Sequence, residues 1–509
     1  MQDNSSTRPI ENRGRVILLF LLFLLALYQF YTAGYSAFTM VCLLPAVFLC
    51  VYVGFKYRMS TFWALFFINY FIHILGKHSL LPPGVPTSLY NEMFEMLLLA
   101  IAIIDVRQMP HFERAGNLML LALTVWCGFC TLEVLNDTCN LGINIGAWYT
   151  GARGMAFQLM YIFLVFTIYI SDAVILKRYL YAWAAFAFFS VFWAWKQQYI
   201  GFTYPEEFWI NNIGHVTHII NGGSLIRYFS TFSDAANYGC NAAATATAFV
   251  IFGITSRLTK ERILWGVLAI LVIWGMFSSG TRTAIACLGA GLASYVILSK
   301  SFKIAIPFSI MFAIVAILLV FTNIGNGNQQ IRRMRSAFNK KDASSNVRTI
   351  NQEAMKKYIR DAPWGIGLGM GQDNVPANNK FRKLATIAPD SEYVFIWQRT
   401  GPIGITVFLI ANFIIFVGGA RIVMFKIKNR SLMGIGAGFC CAFVAIHLGG
   451  YGNQVLLQYP NGLLFYGGMT IVYLLPFIEP EWNRIEEQQF AKQEERRRLK
   501  LEKKKASRV

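Results

Sequence analysis

Fourteen apolar runs, most close to 20 residues long, alternate along this chain with short polar connections. About 20 apolar residues are needed to cross a bilayer as a helix. The runs lie near 16–34, 38–56, 62–81, 93–106, 117–136, 155–174, 180–200, 241–255, 263–280, 283–299, 304–324, 392–418, 431–450 and 460–479. Only 14% of residues are charged and 56% are hydrophobic, whereas soluble chains carry about 25% charged residues. The expected fold is therefore an all-α polytopic membrane protein of about 14 transmembrane helices.

Lysine and arginine in short loops favour the cytoplasmic side. "KYRMS", "RQMPHFER", "ILKRY", "SRLTKER", "SKSFK" and "RIVMFKIKNR" all fall on one side if both termini are cytoplasmic, and "DTCNLGINIG" and "GNQVLLQYP" fall on the other. This divides the chain into a cytoplasmic segment at 1–15, a membrane domain at 16–480 and a charged cytoplasmic tail at 481–509. The tail is polar nearly all round and reads as a solvated helix or disorder. The basic start and long apolar stretch at 16–34 read as a first helix that is retained rather than cleaved.

Two long extracytoplasmic loops result, at 201–240 and 325–391. The second holds twelve basic and five acidic residues, a net +7. Such a loop is long enough to escape the orientation rule, and it suggests an anionic partner outside, with lipid headgroups as the plain alternative. Nucleic acid is not an expected partner. Of the nine cysteines, Cys127 and Cys130 sit within an apolar run and read as small buried hydrophobes. Cys139 and Cys240 could meet outside the membrane as a disulfide. His215 and His218 could share a metal, but no third ligand is evident, and no cofactor is expected. Glu95, Asp105, Glu133, Asp172 and Lys196 border helices. Neither a charged path through both halves nor an internal repeat supports a transporter.

The informative residues gather in the outer loops. "SLIRYFSTFSDAANYG" places Arg227 before a Ser/Thr/Asp/Asn-rich turn and a small-residue helix, an arrangement that can face an anion. "SSGTRTA" puts Arg282 at the outer end of a helical hairpin, where it can point into an outward cavity or snorkel to lipid phosphate. In "ASSNVRTINQEAMKKYIRDAPWGIGLGMG", Ser345 or Asn346 could cap a helix running to about Asp361, with Ile350, Met355, Tyr358 and Ile359 inward and Arg348 flanking them. Gly365, Gly367, Gly369 and Gly371 would allow close backbone approach. "APDSEYVFIWQRTGPIG" sets Asp390 and Ser391 at the mouth of a helix, with Arg399 two turns inside.

Taken together, Gln197 or Gln198 closing a helix, "RYFSTFSDAANYG", "SGTRTA", "VRTINQEAMKKYIRDAPWGIGLG" and "DSEYVFIWQRTGPIG" resemble, in that order, the O-antigen ligase and O-antigen polymerase superfamily of bacterial membrane glycosyltransferases. The likeness covers about 193–408. The last segment follows the family pattern, with Ser391, Gly401 and Gly404 in place, but Asp390 stands where the ligases carry a histidine that acts as base. The resemblance implies a GT-C-like, metal-independent inverting enzyme of the bacterial cytoplasmic membrane. It would use a polyprenyl-diphosphate-linked glycan and a glycan or lipid-linked acceptor, with a chain-length regulator as a further partner. It points to Asp390 as base, to Arg227 and Arg282 with Arg348 on the diphosphate, and to Ser391, Asn237, Gln198 and Arg399 at the substrate. The aspartate leans the reading toward a polymerase, with a ligase or a transporter of the lipid-linked glycan as alternatives.

Overall fold

The computed structural model describes residues 51–81, 86–105, 111–220, 225–299 and 343–506, with isolated positions between 14 and 49 and between 310 and 332. Two units are distinguished, Met1–Ala64 and Leu65–Val509. In the first, residues 51–64 are helical apart from a turn at Tyr57. One span, Arg58–Lys77, begins in the first unit, and the other spans lie in the second.

Ten helices among the described residues are long and apolar enough to span a membrane, and an eleventh, Arg282–Leu298, is shorter. They match eleven of the expected runs in order. The runs at 16–34 and 304–324, and most of 38–56, lie outside the described residues. The protein is an all-α polytopic membrane protein; a two-residue antiparallel pairing, Ile219 with Ile226 and Ile220 with Leu225, is a small addition.

Helix starts depart from the expected edges where polar residues face inward. The run expected at 93–106 is the helix Thr87–Ile104, with Asn91, Glu92 and Glu95 buried. Glu95 thus stands in the middle of a span, not at its border. The run expected at 241–255 begins at Ala235, because Asp234 caps it by accepting from Ala236 and Asn237 N–H. Apolar counting misses such turns, since a polar side chain that faces protein rather than lipid carries no hydropathy signal. The run expected at 155–174 is likewise the span Ile145–Tyr169.

The helix Ala235–Thr255 is buried along nearly its whole length and packs against Thr259–Ser278, Arg282–Leu298 and Arg430–Gly452. Its run "AANYGCNAAATATA" explains this position, because small residues let neighbouring backbones approach closely. Added methyl groups at Gly434 and Gly438 of the 430–452 helix would overlap Thr255 and Phe252.

Both long loops carry cores of their own. Ile210, Phe229 and Ala235 form one, with Phe202 and Trp209 against it. Met355, Ile359, Ala362, Ile366, Phe381 and Leu384 form another, closed by Cys139 and Val394. The helix in this second loop is Ala343–Ile359, so it begins before Ser345 and Asn346 and neither is its cap. Met355 and Ile359 face inward as expected, but Ile350 is exposed. Nor is the tail merely solvated. Its helix, Gly467–Ala506, is tied back by Lys177 Nζ to Gln489 Oε1 at 2.9 Å and by Gln493 to Thr259. Cys139 and Cys240 are free thiols, not a disulfide.

Candidate functional site

The turn "SSGT" ahead of Arg282 depends on its neighbours for its shape. Gly280 has φ +58°, a left-handed conformation that favours glycine. A methyl group on Gly239, in the small-residue helix, would overlap Ser279 Oγ and Thr281; only a glycine lets the turn sit there. Thr281 Oγ1 donates to Ala235 O at 2.8 Å. It leaves its own helix uncapped by a side chain, and Arg282 is that helix's first residue.

Arg227 binds this turn from the other side. Its Nε donates to Ser279 O at 3.3 Å, Nη2 to Thr281 Oγ1 at 2.9 Å and Nη1 to Thr217 O at 2.9 Å. Two arginines 55 positions apart in sequence are thus fastened to one turn. Burial holds the Arg227 guanidinium pKa below its usual range; Asp234 and Cys240 oppose that shift, and the charge of Arg282 adds to it.

His218 completes this side. Its Nε2 accepts from Ala235 N–H at 3.0 Å, and Nδ1 lies 3.0 Å from Gly214 O, which fixes the neutral tautomer with the proton on Nδ1. Burial lowers its pKa to about 4, with Arg227 pressing the same way. Both ring nitrogens are engaged, so the His215/His218 pair does not form a metal site; no group of three potential ligands occurs among the described residues. Asp234 and His218 also occupy the first N–H groups of the 235–255 helix, so that helix start is not open to an anion as the sequence suggested.

Asp390 sits on the second side. Asn351 Nδ2 donates to its Oδ2 at 3.1 Å, linking it to the helix that carries Arg348, whose side chain lies outside the described set. Ser391 is buried and caps the following helix by accepting from Val394 N–H at 3.2 Å. That helix, Glu392–Phe425, breaks at Gly401, φ 66°. Pro402 has no N–H to give Gln398 O, and the break deprives Arg399 O of its helical partner. Ile366 N–H donates to Gln398 O at 3.1 Å and Gly367 N–H to Arg399 O at 3.0 Å instead. The alternating glycines therefore serve close backbone docking: a methyl group on Gly365 would strike the Arg399 carbonyl, and one on Gly369 the Ala147 carbonyl. Arg399 lies beneath this loop, its guanidinium 5.4 Å from the Phe395 ring and Nη1 buried without a hydrogen-bond partner.

The uncharged loop "NQVLLQYPN" joins the two sides. Asn453 Nδ2 donates to Thr283 Oγ1 at 3.2 Å, next to Arg282, and Gln454 Nε2 donates to Pro389 O at 2.8 Å, next to Asp390. Glu392, buried, accepts from Leu456 and Leu457 N–H. Asn461 donates to Asn237 Oδ1 at 2.7 Å, and Asn237 Nδ2 donates to Tyr459 O at 2.9 Å. Sequence reasoning passed over Asn453, Gln454, Glu392 and Asn461. For the three amides the only signal was an uncharged connection holding four amide side chains.

Of the residues singled out from sequence, Arg227 and Arg282 share one turn, and Asp390 and Ser391 open the helix braced to the same loop. Asn237 is fully buried, with both ends of its amide committed to that brace. Gln197, not Gln198, makes the buried contacts at its helix end, donating to Glu206 Oε1 at 2.8 Å and accepting from Ser230 N–H at 2.9 Å. Gln198 Oε1 is buried without a partner. Arg399 belongs to the floor of the glycine loop.

Residues 267–409 match the family model described as O-antigen ligase, which bears out the superfamily reading. The match takes in Arg282, Arg348, Asp390, Ser391 and Arg399, and stops short of Gln198, Arg227 and Asn237. None of the curated proteins matches the chain. The family indicates a membrane enzyme of glycan transfer acting on lipid-linked glycans.

Proposed function

We propose that this protein joins glycan from a polyprenyl-diphosphate donor to an acceptor sugar outside the cytoplasmic membrane, as a polysaccharide polymerase. The observation that carries the reading is the fastening of Arg227 and Arg282 to one turn, which gathers guanidinium charge from two parts of the chain. A diphosphate leaving group gains negative charge as its bond to the sugar breaks, and fixed cations that meet that charge act at the costliest point of the reaction.

In this reading the acceptor hydroxyl oxygen attacks the anomeric carbon of the donor sugar. The new carbon–oxygen bond forms as the bond to the diphosphate breaks, and the leaving group keeps the electron pair. Asp390 accepts the hydroxyl proton, with Asn351 steadying one carboxylate oxygen and leaving Oδ1 to the acceptor. Attack from the face opposite the leaving group inverts the anomeric centre. Arg348 and the uncapped start of the 282–298 helix add positive charge, and Ser391, Arg399, Asn237 and Gln198 hold the surrounding loops or the sugar. An apolar groove of about 510 Å³, lined by Phe67, Phe71, Ile74, Leu75, Phe186 and Phe189, suits the isoprenoid tail. Lys77 Nζ, one residue before the groove's His78, donates to Ser233 O at 3.0 Å beside Asp234.

The family description favours a second reading, a ligase that hands glycan to a lipid acceptor. Purified full-length chain with a polyprenyl-diphosphate glycan tests both. Longer glycan with released polyprenyl diphosphate supports the polymerase. Release only when a lipid acceptor is added supports the ligase, and release with neither removes the enzymatic reading.

A further inference from the structure

Successive helices run back and forth between the candidate site and the other end of the bundle. Thr255 ends one, Thr259 begins the next, and Phe425 and Arg430 bound another connection. There, at the ends of these spans, lies a polar cavity of about 540 Å³. Arg257, Arg262, Lys428 and Arg430 line it, against Glu486 and Glu487. That is four cations to two carboxylates.

Ordinary local roles account for only part of this charge. Arg262 Nη2 donates to Ser256 O at 3.0 Å and Arg430 Nη2 to Ile254 O at 3.5 Å, which satisfies carbonyls at a helix C-terminus and uses one N–H of each guanidinium. The Arg257 guanidinium stacks over the Phe490 ring at 4.1 Å, a contact that holds its plane and uses no donor. Among the described residues none of the four cations forms a salt bridge; the pairs found lie elsewhere. The two carboxylates offset only half of this charge and leave two cations in excess. Glu486 is buried and its Oε2 is held by Asn429 Nδ2 at 2.7 Å, and Glu487 is exposed. The tail helix supplies the wall with Asn483 and Glu486, so the cavity exists only while the tail is docked.

We propose that this cavity binds the phosphate of an anionic phospholipid headgroup, far from the reaction centre. Donors on a planar fork match phosphate oxygens, and basic pockets between membrane helices at this level hold such headgroups. A bound headgroup would bridge the 255–259 and 425–430 connections to the tail and keep the tail docked.

The test uses the full chain, delipidated in detergent and supplied with phosphatidylglycerol or phosphatidylcholine, with retained lipid read by native mass spectrometry. Phosphatidylglycerol should be retained at least tenfold better. The triple variant Arg257→Gln, Arg262→Gln, Arg430→Gln should lose that preference and keep wild-type glycan transfer. Equal retention of both lipids, or an unchanged preference in the variant, overturns the proposal. A photoactivatable phosphatidylglycerol on the unmodified protein covers a variant that fails to fold: labelling at 255–262, 428–431 or 483–487 supports the site, and labelling confined to other segments rejects it. Inorganic phosphate at millimolar concentration is the remaining arm. If it displaces the lipid completely, the site recognises free phosphate and the lipid assignment fails.

Discussion

Replacing Arg227 by lysine keeps the positive charge and removes the fork that holds the turn. The native guanidinium makes three hydrogen bonds, to Ser279 O, Thr281 Oγ1 and Thr217 O. A single ammonium, with a shorter reach than the guanidinium, can meet one of these acceptors at good geometry. Two charge-assisted bonds are then lost, at about 1.5–3 kcal/mol each, a total of roughly 3–6 kcal/mol of anchoring on a turn that carries Arg282. Part of this returns as water reaches the freed carbonyls, so about 3 kcal/mol is a fair working figure, or roughly a hundredfold in rate if the turn's position is felt only in the transition state. The assay is single-turnover release of polyprenyl diphosphate by purified protein. Hydrogen exchange over 278–284 should report a loosened turn. Thr281→Val is the companion variant, since it retains the guanidinium but removes both the acceptor for Arg227 and the donor to Ala235 O; a loss of roughly thirty- to a hundredfold fits two bonds at about 1–1.5 kcal/mol each. Should Arg227→Lys turn over at the native rate with unchanged exchange across the turn, Arg227 does not position Arg282.

Arg282→Lys should lower glycan transfer more steeply than it lowers thermal stability, because an ammonium cannot meet two phosphate oxygens as a fork does; a normal rate in the same release assay would remove Arg282 from the leaving-group site. Asp390→Asn should cost at least about a hundredfold in the chemical step, the usual scale for a general base, while donor binding, measured by lipid co-purification, stays near native. Gly239→Ala should destabilise by about 1–3 kcal/mol through overpacking against Ser279 and Thr281, seen as a lower melting temperature with a larger fall in activity. His218 gives the pH dependence. Its folded pKa, about 4, lies below the unfolded value near 6.5, so the neutral fold has its full stability above about pH 6.5 and loses it as pH falls toward 4. The loss is on the order of 3 kcal/mol, and His218→Gln should flatten the melting profile between those limits.

Much of the architecture was legible in composition alone. Lipid tolerates no unpaired backbone, so a run of apolar residues of bilayer length has only one fold open to it, and eleven of the runs recur as helices among the described residues. The arginine-bearing segments were legible too, because a guanidinium beside a span needs a compensating partner. Edges were less so: Asn91 and Asn237 fall in expected loops, and Glu95 and Asn241 at the edges of expected runs, yet all four lie within helices and face protein.

Sequence alone grouped Arg227, Arg282 and Asp390 only through the family resemblance and could not say what holds each of them in place. That was decided by tertiary contacts: Gly239, which lets the Ser279–Thr281 turn approach, Gly401 and Pro402, which free two carbonyls for the glycine loop, and Asn453 and Gln454, which tie both sides to one loop. Burial in lipid is a property of each residue's own chemistry and is written locally. The meeting of distant side chains depends on how neighbouring backbones fit at atomic distance, and that exists only in the folded chain.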